Sequence, residues 1–365
     1  MIIDKITLTN FRNYQKQTLA LGSGVNFIIG ANGEGKTNFL EAIYVLAMAK
    51  SYRVEDQDLI KFNEEFAKIQ ALIIKNNQKI ELSLIISEIG KRALANNNEI
   101  KRLSDYIGYL HMVSFLPEDM NLIKGAPKDR RYYIDVFLGQ IDKDYLSDLA
   151  QYKQLIRQRN ELLKKMFETN NKDETLLDVI TEQLADKIDA ITKRRSAFIE
   201  SANESLKSSY QKLTNKKVDL KLAYLPSVNL TETSKFLKSK YRQDLASGTT
   251  NYGTHRDDYD FLLDGSPARA HASQGEQRAI IIALNMFFSD FVNLTKHERP
   301  IFLLDDVFSE LDQIRQNQLL QYLISTKAQT IITSTGVQEI SERFLKAGKI
   351  FRVTKGYIKE ESING

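Results

Sequence analysis

Gly30-Ala31-Asn32-Gly33-Glu34-Gly35-Lys36-Thr37 decides how this chain is read. The octet fits G-x-x-x-x-G-K-[ST] in full. The apolar run Val25-Asn26-Phe27-Ile28-Ile29 before it reads as a strand, and residues 38–48 after it read as a helix. Glycines let such a loop curl until several backbone N–H groups face one phosphate. The helix N-terminus adds partial positive charge at the same point. Lys36 is then placed to reach the β- and γ-phosphates of a nucleoside triphosphate, and the Thr37 hydroxyl to ligate Mg²⁺.

A bound nucleotide also needs a carboxylate at the end of a buried strand. Ile301-Phe302-Leu303-Leu304-Asp305-Asp306 supplies it directly after Pro300. Asp305 is expected to hold Mg²⁺, and Asp306 to orient the attacking water. A third element, Ser273-Gln274-Gly275-Glu276-Gln277-Arg278, opens an apolar helical run about thirty residues earlier. Ser followed three residues on by Glu is also an ordinary capping box, so this element gains meaning only from its place before the Asp305 strand.

Working outward, the 365 residues suggest two or three domains at ~150 residues each. Hydrophobic residues make up 42%, enough for a sizeable core, and the net charge of +4 confines any nucleic-acid surface to a local patch. The absence of cysteine excludes disulfides, thiolate catalysis and Cys-based metal sites, and fits a cytoplasmic protein. The N-terminus lacks a signal-peptide pattern, and no stretch approaches about 18 uninterrupted apolar residues, so no membrane partner is expected.

Between Gln140 and Leu225 there is neither glycine nor proline, so this stretch reads as long helices. Tyr145, Leu149, Tyr152, Ile156, Leu163 and Met166 form one apolar stripe. Leu176, Ile180, Leu184, Ile188, Ile191, Phe198 and Ala202 form another after the polar break at 169–173. The basic clusters Arg157/Arg159/Lys164/Lys165 and Lys193/Arg194/Arg195 read as a solvated face, or as phosphate contacts. Elsewhere the texture is of strands: residues 2–8, a hairpin of 69–74 with 80–86 around Asn76-Asn77, and buried parallel strands at 301–304 and 330–333.

Taken together, these motifs resemble the ABC-type ATPases. Ser273 to Gln277 is similar to their signature motif, and Ser309-Glu310-Leu311-Asp312 to the loop after their Walker B strand. Within that superfamily the chain resembles the RecF family of bacterial DNA repair proteins. The resemblance rests on Asn10-Phe11-Arg12-Asn13-Tyr14, on Gly30 through Asn38, and on Phe115-Leu116-Pro117-Glu118-Asp119. It rests also on Lys124-Gly125-Ala126-Pro127-Lys128-Asp129-Arg130-Arg131 and Thr254-His255-Arg256-Asp257-Asp258. These markers span nearly the whole chain, and the insertion is too short for a long coiled-coil arm.

The resemblance implies an α/β, ABC-type P-loop ATPase lobe formed by both chain ends (1–116 and 248–365), with an inserted, mainly helical lobe at 117–247. It implies ATP and Mg²⁺ as cofactors. Arg12, Gly30, Ala31, Asn32, Gly33, Glu34, Gly35, Lys36, Thr37 and Asn38 would hold the nucleotide, while Ser273, Gln274 and Gly275 complete the site of a second copy in a head-to-tail homodimer. Lys36, Asp306 and Ser273 would be catalytic, with Thr37 and Asp305 on the metal. The implied function is ATP-dependent clamping of double-stranded or gapped DNA in recombinational repair and replication restart, assisting recombinase loading with the mediator RecR, with or without RecO. Arg130, Arg131, Arg157, Lys193 and Arg194 are candidate DNA contacts. Glu118 falls where a metal- or water-sensing glutamine stands in the superfamily, and His255 is expected to pack towards the nucleotide side. Asp306, and the lack of a His after the following strand, depart from transporter-type relatives and imply slow turnover. A free-standing kinase or nucleoside triphosphatase, or a transporter motor, would share the phosphate loop without needing Ser273-Gln274-Gly275.

Overall fold

The computed structural model describes residues 1–169, 174–336 and 348–361, and the side chains of Ser309 and Glu310 lie outside that description. So does most of the polar break expected at 169–173. The chain divides into two compact units, one of residues 1–120, 208–217 and 273–365, the other of 121–207 and 218–272.

The first unit holds two six-stranded sheets. One is antiparallel: β1 (Ile2–Phe11), β2 (Tyr14–Ala20), β4 (Phe66–Lys75), β5 (Gln78–Ser87), β6 (Gly90–Ala95) and β7 (Asn98–Ile100), in the order β2-β1-β4-β5-β6-β7. In β1 the buried residues are Ile3, Ile6, Leu8 and Phe11, although strict alternation places Ile3 opposite Ile6 and Leu8. A bulge between Ile3 and Lys5 inserts one residue and restores the phase. The expected hairpin is β4–β5, turning at Asn76-Asn77, both with positive φ.

The other sheet comprises β3 (Val25–Ile29), β8 (Met112–Phe115), β12 (Ile301–Asp305), β13 (Thr330–Ser334), β14 (Gly348–Thr354) and β15 (Tyr357–Glu361). Its order is β15-β14-β3-β13-β12-β8, parallel except for β15 at the edge. β13 lies between β3 and β12, so the strand before the phosphate loop and the strand ending in Asp305 flank one neighbour. The helix Lys36–Met48 contacts β4 and β5 of one sheet and β12 and β13 of the other. That explains why Phe39-Leu40-Glu41-Ala42-Ile43-Tyr44-Val45-Leu46-Ala47-Met48 is buried on every side. The helix Gln274–Lys296 is long and apolar enough for a bilayer, but it is mostly buried and packs on β8 as a core helix.

The second unit has the expected long helices, Lys143–Thr169 and most of Thr175–Thr214, with Pro127–Ile141 before them. It also has a small antiparallel sheet of β9 (Leu220–Leu225), β10 (Asp258–Leu263) and β11 (Ser266–Pro267), which the glycine-free stretch concealed. Pairing of β10 with β9 carries 258–263 into this unit, so the chain leaves it for good near Ser273 and not at 248.

Two arginines expected on a solvated face are buried here, at 0% exposure for Arg159 and 1% for Arg195. Arg195 donates to Asp257 and Asp135, both at 2.8 Å, and to the Tyr145 hydroxyl at 3.0 Å. Arg159 donates to Asp244 at 2.7 Å and Thr250 at 2.8 Å. Removing one member of a buried pair leaves the other charge uncompensated. Arg195→Ala is therefore expected to cost about 3 kcal/mol, read as a lower urea midpoint in equilibrium unfolding.

Candidate nucleotide site

Gly35 stands at the N-cap of the helix Lys36–Met48 with φ of 116°. A Cβ there would meet Asn13 Nδ2 at 2.4 Å and the Tyr14 hydroxyl at 3.0 Å. Gly30 sits as closely on β14, where a Cβ would lie 2.6 Å from the Val353 carbonyl oxygen. Two of the motif's glycines thus let the loop nest against its neighbours. Lys36 is buried, and its ammonium donates to the carbonyls of Gly30 at 2.8 Å and Ala31 at 2.9 Å. Ala31, Asn32 and Gly33 are exposed at the loop's outer turn.

Thr37 and Asp305, 268 residues apart, meet here: the Thr37 hydroxyl donates to Asp305 Oδ1 at 3.1 Å. The same carboxylate oxygen accepts from the Thr333 hydroxyl at 2.6 Å. Thr333 Oγ1 in turn accepts from the Asp306 backbone N–H at 2.9 Å. One hydroxyl and one carboxylate facing a phosphate loop are hard-oxygen donors of the kind Mg²⁺ takes when nucleotide oxygens complete its shell. No cluster of three or more His, Cys, Asp or Glu that could hold a metal occurs among the described residues. Asp306 has φ of 51°, a left-handed conformation a non-glycine residue seldom adopts, directly after the strand.

Arg12 also has positive φ. Its Nε donates to Glu41 at 2.9 Å and its Nη1 to the Asp58 carbonyl at 3.0 Å. Glu41 is fully buried and accepts from Ser51 at 2.6 Å as well. Arg12, Asn13, Asn38, Lys61 and the exposed Phe62 line an open cavity of about 700 Å³. Asn38 and Asn13 are joined at 2.9 Å, so the cavity begins at the loop's helix. Glu118 lies 3.7 Å from Arg53, and burial, aided by the charge of Asp305, pushes its carboxyl above the usual range. The Tyr52 hydroxyl is pushed up by burial and then by Asp305, Glu118 and Glu41, so these groups form one acidic neighbourhood.

The signature element is a complete capping box. Ser273 Oγ accepts from the Glu276 backbone N–H at 3.3 Å and donates to its carboxylate at 2.9 Å; the Ser273 N–H donates to that carboxylate at 3.0 Å. Lys216 donates to Glu276 at 2.8 Å, and these bonds draw the Glu276 pKa down to about 2. At Gly275 a Cβ would approach Arg315 Nη1 to 2.9 Å. Arg315 is itself held by Asp312, so the signature turn rests on the start of the helix Gln313–Thr326.

In the second unit, His255 is in contact with the Tyr152 hydroxyl and the Thr250 carbonyl, and burial lowers its pKa. These partners belong to its own unit, so the packing expected towards the nucleotide is not what holds it. Of the basic residues singled out, Arg130 is 4% exposed and donates twice to Asp258, at 2.6 and 2.9 Å; its guanidinium is a structural tie and not a phosphate contact. Arg131 donates to the Asp257 carbonyl, and Arg194 is paired with Asp142 and Asp148. Arg157 and Lys193 are exposed. Glu41 and Thr333 were not singled out from sequence. A buried Glu inside an apolar helix was the available sign for the first, and Thr-Ser-Thr closing a buried strand for the second.

A family model described as RecF/RecN/SMC N terminal domain matches residues 2–359. The chain is 40% identical over 373 residues to the DNA replication and repair protein RecF of Geobacillus kaustophilus (strain HTA426), covering 99% of this chain and 100% of that protein. It is 41% identical over 369 residues to the protein of that name from Bacillus cereus (strain G9842), covering 98% of each. A solved structure of the recombination mediator protein RecF with ATP, from the RecFOR pathway, superposes with a TM-score of 0.91 at 32% identity, covering 99% and 97% of the two chains. An Smc head domain from Pyrococcus furiosus, at 17% identity and a TM-score of 0.56 over 99% and 96% of the chains, shares the fold.

Thr333→Val would strip Asp305 of one donor and the Asp306 amide of its acceptor. The expected outcome is about a tenfold loss of Mg²⁺-dependent ATP affinity with little change when Mg²⁺ is omitted, measured by calorimetric titration in both conditions.

Proposed function

The chain belongs to the RecF family of SMC-like ABC ATPases, and from that premise we propose that it is an ATP-switched DNA clamp of recombinational repair and replication restart. The observation that carries this reading is the Thr37–Asp305 contact, which joins the phosphate loop to the strand-end carboxylate across 268 residues. The loop Gly30 through Asn38 would take the phosphates, and the cavity behind Arg12 and Asn38 the nucleoside. Thr37 and Asp305 would hold Mg²⁺, which supplies charge neutralisation at the β- and γ-phosphates.

Lys36 would exchange its two carbonyl acceptors for phosphate oxygens. Asp306 would accept a proton from the attacking water, its position set by the left-handed turn and the bond to Thr333. As a shorter carboxylate than glutamate it supports slow turnover, suited to a switch. Ser273, at the N-terminus of a 23-residue helix, would face the γ-phosphate bound by a second copy, so ATP closes a head-to-tail homodimer. Arg157 and Lys193 would contribute to binding double-stranded or gapped DNA, with RecR, with or without RecO, as the partner in recombinase loading in the cytoplasm.

Sedimentation velocity with a fluorescent gapped duplex, with and without ATP·Mg²⁺, tests this. A DNA-bound dimer is expected only with ATP, and is expected to vanish in Lys36→Met and in Ser273→Arg. An ATP-binding monomer indifferent to DNA would replace the clamp with a free-standing nucleoside triphosphatase. Replacing both Arg157 and Lys193 by Glu should weaken DNA binding and lower the slope of log affinity against log salt by about 2.

A further inference from the structure

We infer that Glu34 is a positioning residue, by which the hairpin turn between β14 and β15 holds the phosphate loop in its binding shape. The inference rests on the ATP-binding reading above and extends it to a segment more than 300 residues away in sequence. Glu34 occupies a variable position of the motif, and a carboxylate there stands among groups meant to attract phosphate. It is turned elsewhere: the Lys355 backbone N–H donates to its carboxylate. The next amide, Gly356, donates to the Glu34 carbonyl at 3.2 Å. Lys355 and Gly356 have φ of 48° and 77°, the left-handed pair of a tight hairpin turn, which aims consecutive N–H groups at one residue.

The turn between β1 and β2, which adjoins the Gly356 turn, grips the loop as well. Asn13 Nδ2 donates to the same Glu34 carbonyl at 3.2 Å, and the Tyr14 hydroxyl to the Gly35 carbonyl at 2.8 Å. Asn13 is fixed by Asn38 at 2.9 Å through its side chain and by Lys61 at 3.2 Å through its carbonyl. The two turns are tied to each other. Gln17 of β2 donates to the Ile358 carbonyl at 2.9 Å and accepts from the Ile358 N–H at 3.0 Å, pairing with β15 as a backbone would. Residue 34 thus sits in a frame built from both ends of the chain. The frame ties the carbonyl and the carboxylate of Glu34 to the two turns and so fixes the middle of the loop.

The test uses the full chain, with ATP·Mg²⁺ binding by calorimetry and hydrogen exchange of the peptide over 353–358, without nucleotide. Glu34→Ala is expected to weaken ATP about fivefold and to lose protection at the Lys355 amide. Glu34→Gln, which keeps the acceptor and drops the charge, is expected to restore both to within about twofold. Wild-type ATP affinity, or tighter, in Glu34→Ala overturns the inference. So does a Gln variant as weak as Ala while its hairpin stays protected, since charge and not the bond to the turn would then matter. Failure of the parent reading is separate: there the wild type does not bind ATP, or Lys36→Met binds it equally well.

Discussion

The contact on which the rest of the molecule depends is one carboxylate oxygen of Asp305 shared by the hydroxyls of Thr37 and Thr333. The three residues end or follow three strands that adjoin in the order β3-β13-β12. Because β3, from the N-terminal part, lies between β14 and β13 of the C-terminal part, neither chain end can form this sheet alone. β8 pairs with β12 in parallel on the far side, so the segment between them departs from and returns to the same edge. Loop-closure entropy grows only slowly with length, which is why an insertion of that size is compatible with the sheet. Bound groups in open parallel sheets gather beyond the carboxyl ends of the strands, and here the loop 30–37 follows β3 and Asp305 ends β12.

The second unit is organised by another constraint. Its helices enclose Arg159 and Arg195, each with its acids supplied from elsewhere in the unit: Asp244 for the first, Asp135 and Asp257 for the second. Buried ion pairs add little net stability, because desolvation offsets most of their attraction. Their geometry is nonetheless demanding. Asp257 accepts from Arg195, from the Tyr224 hydroxyl and from the Ser227 N–H at once, which fixes the Thr254–Asp258 segment against the helix Thr175–Thr214. Within the His-Arg-Asp-Asp run, Asp257 and Asp258 are thereby accounted for as partners of Arg195 and Arg130, whereas Arg256 is exposed.

What could be read from sequence was local. The phosphate loop, the strand ending in Asp305 and the Ser273 cap each occupy a few consecutive residues whose physics is complete within the window. Glu41, Thr333 and Gln17 were not legible because their meaning lies in partners from about 10 to more than 300 positions away. Arg159 and Arg195 misled for the same reason. Periodicity scores an arginine as polar and cannot show that the side opposite it carries aspartates and not water. The boundary near 248 followed glycine content, whereas strand pairing between β9 and β10 decided it.

The groups assigned to nucleotide chemistry already hold internal hydrogen bonds. Lys36 is satisfied by two loop carbonyls, Ser273 by Glu276, and Asp305 by two threonines. Exchanging such bonds for bonds to phosphate is nearly neutral in count, so the gain on binding must come from charge brought to a prearranged set of dipoles. That also explains why the loop, held by its two flanking turns, can stand in shape before a phosphate binds. An unsatisfied buried ammonium or carboxylate would destabilise it by several kcal/mol, on the order of the whole stability margin of a domain. Ser273 differs from the other two in one respect. Its hydroxyl lies at the exposed mouth of a helix, bonded to a carboxylate that Lys216 also neutralises, so it can turn to an outside acceptor without leaving Glu276 unpaired.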